Sequence, residues 1–209
     1  MVNDFVFRAY VMNRDLVKEG YPAGEWVDFP IKHDADIDLK EAVNEVLCRI
    51  RLDGMRYNQY LIADYDSDIA GLKDCLGKHE NLFLLNYLAQ RLQDMSCSME
   101  QFEAMLAYGK YTGSIEELIN LVDNYDSFLF MPDVKNDYDL GVTYAGSSEQ
   151  FTEALKSLGM LSDYIDYEGY GCAVRKKEGG IHTDTGYIVQ TDSIRIYFNM
   201  ETDGIPKND

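Results

Sequence analysis

The chain has 209 residues, 46% of them apolar and 12% aromatic, which suffices for one ordinary domain or two to three small ones with a packed core. Its 37 acids against 19 bases leave a net charge of −18. That balance disfavours binding to nucleic acid or to anionic membrane, both polyanions, and favours a basic protein surface or cations.

Residues 5–12, FVFRAYVM, have the β-branched and aromatic character of a strand. GYPAG (20–24) reads as a turn and EWVDFPI (25–31) as a second strand. In 38–52, DLKEAVNEVLCRIRL, the residues Leu39, Val43, Val46, Leu47 and Ile50 fall on one helical stripe behind Asp38 as N-cap. QYLIADY (59–65) is a third strand, so residues 1–65 read as a β-β-α-β domain.

The period then turns helical. NLFLLNYLAQRLQDM (81–95) starts at Asn81; SMEQFEAMLAYG (98–109) and SIEELINLVD (114–123) each open on a Ser followed three residues later by Gln or Glu, the capping-box spacing. Residues 66–126 are expected to form a small helical bundle. In 127–209, SFLFM (127–131) returns to strand character, 135–145 is ambiguous, and SSEQFTEALKSLG (147–159) is a helix closed by Gly159. Three β-like runs follow at 171–177, 186–190 and 193–199, giving a C-terminal α+β domain with a frayed tail. The class is α+β.

The four cysteines have wide, irregular spacings and no C-x-x-C, which suggests reduced thiols in a cytoplasmic protein. Cys75 and His79 stand at i,i+4, but no second pair completes a zinc site. DADID (34–38) and DYDSD (64–68) resemble the start of a calcium loop; the glycine required at position 6 is replaced by Leu39 and Ile69. No nucleophile elbow, phosphate-cradling glycine loop or supported Cys–His pair is present, and with 37 acids a carboxylate pair carries no specificity for catalysis. No enzyme activity and no metal are expected.

The acid itself is patterned. Residues 114–168 hold twelve acids (Glu116, Glu117, Asp123, Asp126, Asp133, Asp137, Asp139, Glu149, Glu153, Asp163, Asp166 and Glu168) and two bases, Lys135 and Lys156. Carboxylates held several ångströms apart on a firm surface resemble a row of phosphates, and eighteen net charges match about 30 Å of duplex. In DYIDYEGYG (163–171) three acids alternate with Tyr164, Tyr167 and Tyr170. Lying between Gly159 and a β-like run, the stretch reads as a connecting element whose tyrosines anchor it to a core or a dimer partner while the acids face outward. A binding protein follows from this pattern: either a mimic of DNA or an acidic adaptor for a basic partner that is not a nuclease, such as a nucleoid protein or a repressor.

GEWVDFPI (24–31), YNQYLIADYD (57–66), GSIEELINLVDNYDSFLF (113–130) and SDYIDYEGYG (162–171) resemble, in order and spacing, the landmarks of the ArdA antirestriction proteins. The likeness spans about 5 to 199, and YIDYEGYG (164–171), similar to the family's acidic antirestriction motif, is its most specific part. The family pattern continues Gly-Arg-Asp, whereas here Gly171 is followed by Cys172 and Ala173. The resemblance implies an elongated homodimer of three small domains that mimics bent DNA. It implies occupation of the DNA-binding channel of type I restriction–modification enzymes, carriage on mobile elements and no cofactor. The contact residues it implies are Asp64, Asp66 and the twelve acids above, with Tyr164, Tyr167, Tyr170 and Gly171 supporting the motif or the dimer.

Overall fold

The structure is a computed structural model that describes residues 5–21, 23–33, 36–52 and 59–204. The side chains of Leu161 and Asp163, the calcium-like Asp34, and Tyr57 and Asn58 at the head of the second landmark lie outside the described residues. Two antiparallel three-stranded sheets and ten α-helices are present among the described residues. The chain divides into two compact units, Met1–Ser96 with Lys110–Asp123 and Arg195–Asp209, and Cys97–Gly109 with Asn124–Ile194.

In the first unit, β1 (Phe7–Asn13), β2 (Gly24–Phe29) and β3 (Tyr60–Ser67) form a sheet in the order β2-β1-β3. Strict alternation decides its faces. Phe7, Ala9, Val11, Val27, Phe29 and Ile62 are buried, while Arg8, Tyr10, Trp26, Asp28, Asp64 and Asp66 turn the other way. Phe7 and Phe29 stack at 5.3 Å on the buried face, and burying each ring contributes about 2–3 kcal/mol. The register slips between Tyr10 and Val11, where β3 carries an extra residue.

Short α1 (Arg14–Lys18) follows β1, capped by the buried Asn13, which also donates to the carbonyls of Ile50 and Arg51. The helix expected after Asp38 is α2 (Leu39–Arg49), and Asp38 Oδ1 accepts from Glu41 N at 2.7 Å. A single turn, α3 (Leu72–Cys75), leads to α4 (Leu82–Gln93), capped by Asn81. α4 packs against α6 (Ile115–Asp123), which is nearly enclosed by burying Ile115, Leu118, Ile119, Leu121 and Val122. The C-terminal segment, expected as a strand over 193–199, pairs with no strand among the described residues. It is a strap on which the Asn120 amide acts three times: Asn120 Oδ1 accepts from Tyr197 N and Phe198 N, and Asn120 Nδ2 donates to Phe198 O. Phe198 tucks in against Tyr87 at 5.4 Å, and α10 (Met200–Asp203) follows.

In the second unit, α5 (Met99–Tyr108) lies against β4 (Phe128–Met131) and β6 (Tyr187–Gln190), which pair with β5 (Ile181–His182) in the order β4-β6-β5. The ambiguous stretch 135–145 is helical, α7 (Asp137–Ser147), with Asn136 as its cap. α8 (Glu149–Leu158) follows, capped by Ser148, and a 3₁₀ segment closes at Tyr164.

The β-like reading of 171–177 is wrong: these residues belong to α9 (Tyr167–Glu178). Nor is DYIDYEGYG a free connector, because it ends the 3₁₀ segment and starts that helix. Of the two glycines that lower its helix propensity, Gly171 serves packing instead. A Cβ on Gly171 would overlap the Asp137 carbonyl oxygen, and one on Gly141 would overlap that of Tyr167, so α7 and α9 cross backbone to backbone.

Candidate functional site

Acid sits at the ends of helices because helices are stabilised by it there. Asp166 N-caps α9, accepting from Gly169 N at 2.8 Å, and Glu168 occupies the exposed first turn. Glu149 starts α8, and Glu153 stands one turn on, both exposed. In the first turn of α6, Glu117 Oε2 accepts from Gly113 N at 2.8 Å while Ser114 Oγ accepts from Glu117 N. The neighbouring Glu116 is half-buried and accepts from Met200 N. Asp126 and Asp133 are exposed in the turns flanking β4. Asp139 is half-buried, with Oδ2 accepting from Lys135 N at 3.1 Å.

Three of the anticipated carboxylates are paired with arginine. Asp66 meets Arg8 at 2.6 Å, Asp123 meets Arg91, and Asp137 meets Arg175. Asp137 is far from an outward, phosphate-like charge, because its side chain is 18% exposed at the α7 N-terminus. Arg175 Nε donates to Oδ1 at 2.7 Å and Nη2 to Oδ2 at 2.9 Å, and His182 Nε2 adds a contact to Oδ1 at 2.8 Å. The Arg175 hydrogen bonds hold the Asp137 carboxyl well below the usual carboxylate range, against burial, and the same bonds raise the Arg175 guanidinium. Beneath them Tyr187 is fully buried, and burial pushes its phenol up to about 12. Asp64, by contrast, is exposed on β3 and accepts from Tyr65 N at 2.8 Å.

The motif tyrosines divide. Tyr170 stacks on Phe151 of α8 at 5.6 Å with its plane tilted 9°, and Tyr167 meets Tyr138 edge-on at 6.0 Å. These two contacts join α9 to α7 and α8. Tyr164 does not, remaining 85% exposed. Gly171 is buried at the helix crossing.

Sequence reasoning missed Arg175 and His182 as partners of Asp137, since 38 and 45 residues separate them. It also passed over Arg8, Tyr10 and Trp26, although their alternation in the first two strands puts them on one face.

These features define an α+β protein whose exposed helix ends and turns carry carboxylates, several of them without an ion-pair partner among the described residues. A protein-family model for the antirestriction protein ArdA matches residues 9–189, and the chain belongs to the ArdA family. The family's proteins are inhibitors rather than known enzymes, and membership implies an antirestriction function exercised on restriction–modification enzymes. A comparison with curated proteins found no match. None of the described helices is long and apolar enough to cross a membrane.

Proposed function

We propose that this protein is a DNA mimic, occupying the DNA-binding channel of a type I restriction–modification enzyme and so protecting unmodified DNA. One observation carries the reading. Asp126, Asp133, Glu149, Glu153 and Glu168 are exposed, and none forms an ion pair among the described residues. Carboxylates in this state keep their charge and their counterions, and they compete with phosphates for Lys and Arg in a channel. Each contact is worth little by itself, so the interaction is a sum over many. The protein acts in the cytoplasm as a homodimer and needs no cofactor; neither nucleic acid nor membrane is its partner.

The test replaces all five together (D126N, D133N, E149Q, E153Q, E168Q). Unmodified DNA is challenged in cells carrying a type I enzyme, with the variant at the wild-type level of folded protein. Loss of protection is expected; undiminished protection with an intact fold rules the mimicry out.

A further inference from the structure

The outward face of the first sheet has a chemistry that phosphate mimicry does not account for. Cross-strand register lays it out in two rows. Asp28, Arg8 and Asp66 stand side by side across β2, β1 and β3, and below them Trp26, Tyr10 and Asp64. Tyr10 and Trp26 meet at 5.4 Å with planes inclined by 51°. Trp26, the single tryptophan of the chain, is 40% exposed. A half-exposed Trp–Tyr pair on a sheet face is a costly surface to leave in water unless it meets something.

Arg8 shows what fits there. Its guanidinium lies 4.9 Å from the Trp26 ring centroid, and its Nε and Nη2 reach Asp66 Oδ2 at 2.8 and 2.6 Å. That is an aromatic face below and a carboxylate at the edge, the arrangement a planar cation prefers over a compact ammonium. Arg8 satisfies only one of the two aspartates beside it. Asp28 and Asp64 are exposed and take part in no ion pair among the described residues. Three acids and one base leave the face with two uncompensated negative charges around its rings.

We propose that this sheet face is a docking surface for arginine side chains of a basic protein partner, stacked on Tyr10 and Trp26 and paired with Asp28 and Asp64. A phosphate row offers charge alone. This face adds a ring surface, which tells guanidinium from ammonium and holds in salt that screens exposed ion pairs. The proposal does not depend on the mimicry reading, and it assigns a role to residues outside the acidic motif.

Trp26 reports on its own site. Titrating the full chain with hexa-arginine should give a saturable change in tryptophan emission, and the neutral hexa-citrulline should give none. Hexalysine should bind several-fold more weakly than hexa-arginine. The D28N/D64N variant should lose about tenfold in hexa-arginine affinity, while Trp26 and the Tyr65 N–H bond, which Asn can also accept, stay in place. A missing or unsaturable signal overturns the proposal. So does equal binding of hexalysine or hexa-citrulline, and so does wild-type affinity in D28N/D64N. The five-fold neutralised variant described above should keep a saturable signal, so failure of the mimicry reading and failure of this one are distinguishable.

Discussion

Arg175 holds Asp137 by both carboxylate oxygens, from the last turn of one helix to the first turn of another. The pair fixes α7 to α9 at the level where Gly171 lets their backbones touch. R175A should therefore destabilise the protein by about 2–3 kcal/mol, the range for a part-buried hydrogen bond to a charged group, read from the urea midpoint.

The same pair has a pH signature. The folded Asp137 carboxyl lies below its ordinary value of 3.8. Its contribution is present above that value and is lost as the pH falls through it toward the folded value. The stability difference between wild type and D137N should shrink below about pH 4. A difference that holds unchanged at lower pH would contradict the assignment.

Glycines of α7 and α9 should respond in opposite ways to the same substitution. G171A drives a methyl into the Asp137 carbonyl and should cost about 3 kcal/mol or more. G146A meets nothing within 4 Å and should be neutral or stabilising by about 0.5 kcal/mol. Thermal unfolding of the two variants side by side checks this.

The strap over unit one hangs on Asn120, whose Nδ2 also donates to Glu116 O at 2.8 Å. N120A should weaken the docked tail by about 2 kcal/mol, which is roughly thirtyfold in its opening equilibrium. Trypsin cleavage after the exposed Arg195 should accelerate accordingly, while global unfolding shifts less.

If carboxylates act as a sum, single changes such as E149Q or E153Q should alter affinity for a restriction–modification enzyme by fivefold at most, about 1 kcal/mol each. Affinity should fall steeply and linearly in log–log form as salt rises, and the five-fold variant should show a shallower slope. Binding isotherms at several salt concentrations measure both.

Much of the fold was legible because local and tertiary preferences agree. Asp38, Asn81, Ser98 and Ser114 mark their helices, and β-rich composition marks β1, β2 and β3. Where they conflict, the sequence misleads. Gly169 and Gly171 depress helix propensity in α9, but the close crossing with α7 that Gly171 permits outweighs that cost. SIRIYFN has strand composition, yet a buried amide rather than a neighbouring strand satisfies part of its backbone. The acidic motif was visible as pattern. What each acid does was not: Asp166 caps its own helix through Gly169 N, and Asp137 is an inward anchor because of Arg175 and His182, far off in sequence.

Unit one takes its last described segment, 195–204, from chain that follows the second unit in sequence. Its helix α6 carries a buried amide whose partners, Tyr197 and Phe198, lie 77 and 78 residues further on. A ribosome making this protein must deliver the whole second unit before the first can be sealed. A premature stop anywhere between Asn124 and Ile194 thus leaves the Asn120 amide of the earlier unit without the backbone of Tyr197 and Phe198, however well that unit's own sheet and helices have formed.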